Sequence, residues 1–185
     1  MEKKTLYIVF MADVQAAQIA KLREAVTNAV NSGEYETIYI LLSSGGGSVF
    51  EGLSMAAMLR SLPLNVITHN IGQIDSVAGV LFASGKERYA SPNSSFLFHG
   101  VSIPINQTMI ESQLFEQYQN LKRLRESIAL NFSAYTGVKV EEVAALMIDG
   151  ASILSPTEAL SKSIVHEIKD VSIPPGANII SIGNA

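Results

Sequence analysis

Hydrophobic residues follow two patterns in the first half of this chain. Short continuous runs of β-branched and aromatic residues predict buried strands. The segments between these runs predict helices, and the first of these segments has apolar side chains three or four positions apart. The strands are predicted at residues 5–10, 37–43 and 64–71, and the helices at residues 14–31, 48–61 and 76–85. This alternation predicts an α/β fold whose sheet is covered on both faces.

One long amphipathic repeat dominates the second half. Residues 107–135 carry apolar side chains every three or four positions with polar side chains between them, which predicts a helix of seven or eight turns. Shorter elements lie around it. Strands are predicted at residues 88–90, 95–100 and 163–168, and helices at residues 139–147 and 155–160. The last of these helices begins with a capping box formed by Ser155 and Glu158.

The predicted organisation is a single domain in three parts. An α/β head comprises residues 1–104 and 138–170, the long helix lies within residues 105–137, and an extended tail takes residues 171–185. A length of 185 residues fits one domain with a sizeable core.

Composition narrows the range of partners. Hydrophobic residues make up 48% of the chain and charged residues only 16%, which excludes disorder and favours self-association. A net charge of −4 without a run of Lys or Arg argues against nucleic acid and anionic membranes. The absence of cysteine excludes a thiol nucleophile. No apolar stretch approaches the ~18 residues of a membrane span, so we expect a cytoplasmic protein.

Polar and glycine-rich turns supply the candidate chemistry. The segment SSGGGS (43–48) can present backbone N–H groups to a phosphate or a carbonyl oxygen, although a flexible tight turn is the simpler interpretation. Ser76, in GQIDSVAG (72–79), follows a strand at a helix start, where a serine is either a nucleophile or an N-cap. His99 closes a later strand, and Asp149 lies on a predicted turn.

Taken together in this order, these segments resemble the proteolytic subunit of the Clp protease, within the Clp protease and crotonase fold. LLSSGGGSVFEG is similar to the family's glycine-pair block, and IGQIDSVAGVLFASG to its nucleophile segment. RYASPNSSFLFHG carries the most specific match, and LSPTEALSKSIVHEI is similar to the closing block. The resemblance spans about residues 5–170 and implies stacked β-β-α units with a protruding handle helix.

The resemblance also implies roles for individual residues. Ser76 would be the nucleophile and His99 the general base. The backbone N–H groups of Gly47 and Val77 would form the oxyanion hole. Asp149 is the candidate third member of the triad.

Several positions depart from the family pattern, and two of them bear most directly on the site. Ala151 stands where the family has its triad aspartate, so Asp149 would have to serve from two residues upstream. Asp75, directly before Ser76, replaces a small residue, and its charge would oppose oxyanion formation unless it points away or is paired.

The function implied is that of a serine endopeptidase. It would hydrolyse peptide bonds of peptides or unfolded proteins by acyl transfer, inside a homo-oligomeric ring or double ring, without a metal or an organic cofactor. An ATPase chaperone partner is left open, because the family's N-terminal extension has no counterpart before the first strand. The alternatives are a catalytically impaired ring subunit of the same fold and, less favoured, a crotonase-like enzyme that processes acyl-CoA.

Overall fold

The structure, a computed structural model, describes residues 4–148 and 150–184, and in that part of the chain eight strands form one mixed sheet flanked by six helices. The strands are β1 (Lys4–Met11), β2 (Tyr35–Ser44), β3 (Asn65–Asp75), β4 (Glu87–Ala90), β5 (Ser95–Phe98), β6 (Ser152–Leu154), β7 (Glu167–Ile168) and β8 (Asn178–Gly183). The helices are α1 (Ala16–Ser32), α2 (Val49–Ser61), α3 (Ala78–Ala83), α4 (Glu111–Thr136), α5 (Val140–Leu146) and α6 (Pro156–Ser161). The predicted α/β class is confirmed.

The central strands run in parallel in the order β5-β3-β2-β1-β8, and one face of them forms the core. Ile8, Ile40 and Leu42 on that face are fully buried beneath α1, α2 and α3. The opposite face presents Tyr39, which is half-buried, and ends at Met11, which is 57% exposed. Leu41 and His69 on this second face are buried, so the predicted cover of both faces is complete on one face and partial on the other.

β3 is longer than predicted and changes its neighbour along its length. Residues 67–70 pair with β4, whereas residues 73–75 pair with β5. The sequence pattern ended this strand at residue 71, because a glycine and polar residues follow. Ile74 is nevertheless buried in the core and holds the extension in the sheet. The extension carries the chain to Ser76, and α3 begins only at Ala78 instead of at residue 76.

The long helix is confirmed as α4, with 26 residues that begin slightly later than the predicted residue 107. Its C-terminal part is anchored by Phe132, whose ring packs edge-on against Phe98 at 5.3 Å between centroids. Its N-terminal part exposes Leu114, Phe115 and Tyr118. None of the described helices combines the length and apolar character needed to cross a membrane.

The C-terminal segment differs from prediction in three places. β6, an antiparallel partner of β5, was not predicted. The strand expected over residues 163–168 is reduced to β7, because Ser163 takes a φ of 60° and breaks the extended chain. The predicted tail is extended, but its strand β8 joins the main sheet beside β1. The capping box at α6 is confirmed, since Ser155 accepts a hydrogen bond from the Glu158 N–H at 3.3 Å.

Candidate active site

Backbone hydrogen bonds join the glycine-rich turn after β2 to the segment that follows β1. The Val14 N–H donates to the Gly46 carbonyl at 2.7 Å, and the Ser48 N–H donates to the Val14 carbonyl at 2.8 Å. Ser48 also caps α2 by accepting from the Glu51 N–H. These bonds fix the turn on both sides of Gly47.

Two of the three glycines are required by close approach. Gly46 has a φ of 85°, and a Cβ there would lie 2.9 Å from both the Asp75 carbonyl oxygen and the Ser76 Cβ. Gly47 has a φ of 143°, and a Cβ there would lie 2.5 Å from the Val14 carbonyl oxygen. Larger residues would separate the turn from Ser76, so the glycines bring this backbone against the end of β3.

Ser76 adopts a conformation that is rare for a residue with a side chain. Its φ is 53°, in the left-handed region, and its N–H donates to the Leu97 carbonyl of β5 at 3.0 Å. The side chain of Ser76 caps no helix, because α3 has no side-chain cap and starts two residues later. The N-cap interpretation of Ser76 is therefore wrong. Strain of this kind is costly and is often retained where function requires it.

Ser76, His99 and Gly47 line one cavity of about 350 Å³. No hydrogen bond joins the Ser76 Oγ to the His99 ring within the described residues. The Gly47 and Val77 N–H groups likewise donate to no acceptor in that part of the chain. The apolar part of the wall is formed by Val49, Phe50, Val101, Ile103 and Leu124. This arrangement places the Ser76 hydroxyl, the His99 ring and the backbone of Gly47 at one cavity, while Val77 is fully buried and is not among the lining residues.

The His99 ring is oriented by the backbone next to it. Its Nδ1 lies 2.7 Å from the Gly100 carbonyl oxygen. A carbonyl only accepts hydrogen bonds, so Nδ1 carries the proton and the neutral ring keeps its lone pair on Nε2. That is the tautomer a general base needs. The sequence contained no signal for this contact, because any residue supplies a carbonyl.

Asp75 is buried and does not line the Ser76 cavity. It lines a neighbouring cavity of about 300 Å³ together with Asp13, Ser43 and Asn184. Its Oδ2 accepts a hydrogen bond from the Gln73 side chain, and its Oδ1 has no partner in the described part of the chain. Burial raises the pKa of this carboxyl, while the Gln73 hydrogen bond and the charge of His99 act in the opposite direction. Gln73 was not predicted, although it lies two residues before Asp75 on the same strand face.

The predicted third triad member, Asp149, lies outside the described residues. Ala151, at the family's aspartate position, is described and exposed. Within residues 4–148 and 150–184, no group of three or more His, Asp or Glu side chains suits a metal ion.

Comparison with known proteins identifies the relatives of this chain. The model of the Clp protease family matches residues 3–172. ATP-dependent Clp protease proteolytic subunit 3 of Rhodococcus jostii is 30% identical over 109 residues, which is 58% of this chain and 53% of that protein. Subunit 1 of Chlamydia felis is 32% identical over 108 residues, 57% of this chain and 52% of that protein. The matched segment thus spans about half the length of these curated relatives.

Solved structures share the fold. A ClpP1 mutant from Listeria monocytogenes superimposes with a TM-score of 0.78 at 19% identity, covering 89% of this chain and 91% of that one. The ClpP protease catalytic domain from Plasmodium falciparum gives a TM-score of 0.72 at 21% identity, covering 91% and 88%. At these identities the likeness shows a common architecture.

Proposed function

The chain belongs to the Clp protease family, and from that premise we propose that it is a serine peptidase that cleaves peptide bonds through an acyl intermediate on Ser76. The observation that carries the proposal is the cavity that Ser76 shares with His99 and Gly47. A nucleophile, a base and an oxyanion donor at one wall are the groups that acyl transfer requires.

In the proposed reaction His99 first accepts a proton and then donates it. Its Nε2 takes the proton of the Ser76 hydroxyl as the Oγ attacks the substrate carbonyl, and then gives it to the leaving amine. Hydrolysis of the acyl-enzyme by water repeats the sequence and frees Ser76. The N–H groups of Gly47 and Val77, which are free of other acceptors in the described chain, stabilise the negative oxygen of each tetrahedral intermediate.

The apolar wall of the cavity supports peptide substrates with an apolar side chain beside the cleaved bond. Phe50 and Ile103 contribute to this wall, and Phe50 is 69% exposed. Apolar lining with a few polar groups is typical of a substrate pocket.

A homo-oligomeric ring is also part of the proposal. The first turns of α4 expose Leu114, Phe115 and Tyr118 on one stretch of helix, which supports contact with another copy. The curated relatives are named as ATP-dependent, but for this chain we propose only self-assembly. Sedimentation velocity should give an oligomer that Phe115→Glu dissociates, and a monomeric unmodified chain would contradict the ring.

The catalytic proposal is tested with a fluorophosphonate probe, which labels an activated serine. We expect one label per chain, lost completely in Ser76→Ala. Ser102→Ala is the matched control, because Ser102 lines the same cavity, and it should label at the rate of the unmodified protein. Labelling that survives in Ser76→Ala, or is lost in Ser102→Ala, would overturn the assignment of Ser76.

A catalytically impaired ring subunit is the second candidate. It is favoured by the missing hydrogen bond between Ser76 and His99 in the described structure and by Ala151 at the family's aspartate position. Hydrogen bonds of catalytic groups often tighten only when substrate binds, which is why the active form is preferred. Folded, assembled protein that neither reacts with the probe nor cleaves fluorogenic peptides would establish the impaired subunit instead.

A further inference from the structure

Asp75 is the least satisfied buried side chain close to the proposed site. Only 7% of it is exposed, and one carboxylate oxygen has no hydrogen-bond partner among the described residues. Removing a carboxylate from water is costly unless a hydrogen bond or an opposite charge compensates. Gln73 compensates one oxygen and leaves the other free to act on a nearby charge.

Strand register places His99 close to Asp75 in the sheet. Asp75 of β3 pairs with Leu97 of β5 in a parallel arrangement. His99 follows Leu97 by two residues and comes directly after the last residue of β5, Phe98, so continued alternation places its side chain on the same side of the sheet as that of Asp75. Burial raises the pKa of Asp75, and the Gln73 hydrogen bond and the charge of His99 offset part of that rise by favouring the ionised carboxylate.

Few charged side chains other than Asp75 lie close enough to His99 to act as its counter-ion. Asp13, from the loop after β1, lines the cavity of Asp75, and no other charged side chain in the described part of the chain lines either cavity. The Gly100 carbonyl orients the His99 ring, but it carries only a partial charge. An imidazolium formed during catalysis therefore has an orienting group and lacks a counter-ion unless Asp75 supplies it.

We propose that Asp75 is a positioning residue that acts through His99, supplying the negative charge that stabilises the imidazolium formed when Ser76 attacks its substrate. The inference rests on the proposed function. It divides between two groups the role that one aspartate has in a Ser-His-Asp triad, since the Gly100 carbonyl holds the ring and Asp75 provides the charge. Asp75 does not line the Ser76 cavity, so its carboxylate is not among the groups that meet the substrate.

The direct test is the titration of His99 followed by NMR in histidine labelled with ¹³C at Cε1. In Asp75→Asn the midpoint of His99 should fall by about half to one pH unit, because a nearby negative charge favours the protonated ring. His69 and His166 are internal references and should not move. Asp13→Asn removes the same charge from the same cavity and should leave His99 unchanged.

The rate of fluorophosphonate labelling supplies the second readout. The acid limb of its pH profile should move to lower pH in Asp75→Asn by the same amount, and the plateau rate should fall by about three- to tenfold. A merely structural role for Asp75 would lower the yield of folded protein and leave that midpoint in place.

Each outcome separates this inference from the proposed function. An unmoved His99 midpoint in Asp75→Asn overturns the inference even if Ser76 is labelled. A shift in Asp149→Asn in place of Asp75→Asn assigns the charge to Asp149 and also overturns it. Absence of labelling in the unmodified protein overturns the proposed function, whatever His99 does. If Asp75→Asn does not fold, the Asp75 carboxyl signal of the unmodified protein should still show a step at the His99 midpoint, and its absence overturns the inference.

Discussion

Two groups of polar atoms in this molecule are satisfied to opposite degrees. Arg88 on β4 is 4% exposed, and its guanidinium donates to the carbonyls of Gly85, Ser163 and Ile164 at 2.8–3.2 Å. It also contacts the His166 ring at 2.9 Å. This cluster ties β4 to the chain that leads into β7.

The end of β3 has the opposite character. Gly47 and Val77 present N–H groups without acceptors, and the Asp75 Oδ1 lacks a partner in the described part of the chain. Ser76 also holds a strained φ. Gly47 is exposed, whereas Val77 and Asp75 are buried. Because buried polar groups are normally hydrogen-bonded, the unpaired atoms of Val77 and Asp75 favour an interaction with a further group. The difference indicates that the Arg88 cluster stabilises the fold, whereas Ser76 and Gly47 line a cavity that a substrate can enter.

The largest expected effect is at Gly47. Gly47→Ala would place a Cβ 2.5 Å from the Val14 carbonyl oxygen at a φ of 143°. The backbone must therefore move, and the N–H of residue 47 no longer points at the proposed oxyanion site. We expect the rate of fluorophosphonate labelling to fall by about 10²–10³. Gly137→Ala is the control, because Gly137 has a φ of 82° and open space around its Cβ position. An unchanged rate in folded Gly47→Ala would remove Gly47 from the oxyanion hole.

The second prediction concerns the satisfied cluster. Arg88→Met keeps much of the side-chain volume but deprives several buried carbonyls of their donor, so the free energy of unfolding should fall by about 3 kcal/mol. Urea denaturation at one protein concentration measures this loss. The labelling rate of the molecules that remain folded should not change.

Arg60→Met is the matched control for that substitution. The Arg60 guanidinium is exposed and lies 5.2 Å from the Tyr135 ring centroid, so its loss should cost less than about 1 kcal/mol. If Arg60→Met and Arg88→Met destabilise equally, hydrogen bonding does not distinguish the Arg88 cluster.

The smallest effect is expected at His69, which is fully buried and fully paired. Its Nδ1 accepts from the Tyr39 hydroxyl at 2.8 Å and its Nε2 donates to the Lys169 carbonyl at 3.1 Å. Burial lowers the pKa of His69 from its ordinary value of 6.5. Between the folded and unfolded pKa values the unfolded chain binds more protons, so stability is present above about pH 6.5 and is lost as the pH falls.

The slope should be at most about 1.4 kcal/mol per pH unit for this group. Thermal unfolding between pH 7.5 and 5.5 should show a smaller decrease in Tm for His69→Gln than for the unmodified protein. Some slope will remain, because burial and the neighbouring Arg88 also lower the pKa of His166. An identical pH dependence in both proteins would show that His69 ionises as freely in the folded state as in the unfolded one.

Most elements and the order of the candidate residues were predictable from the sequence. The buried strands and α4 followed from apolar runs and helical spacing, and the glycines of SSGGGS marked a turn with special backbone angles. The extension of β3 was missed because its residues pair with β5, a strand that follows about 20 residues later. β6 was missed because three residues are too few to show a pattern.

By itself the sequence determined which residues are available for chemistry, since the order of the SSGGGS, Ser76 and His99 segments carries the resemblance to the Clp protease family. Only the tertiary structure decided what each group contacts. The tertiary structure places Asp75 in the wall of a separate cavity, and it brings the His99 ring within hydrogen-bond distance of the Gly100 carbonyl. The physical reason is that local patterns encode secondary structure, whereas hydrogen-bond partners and cavities arise when distant segments pack together. The same residues in another register would have had different partners.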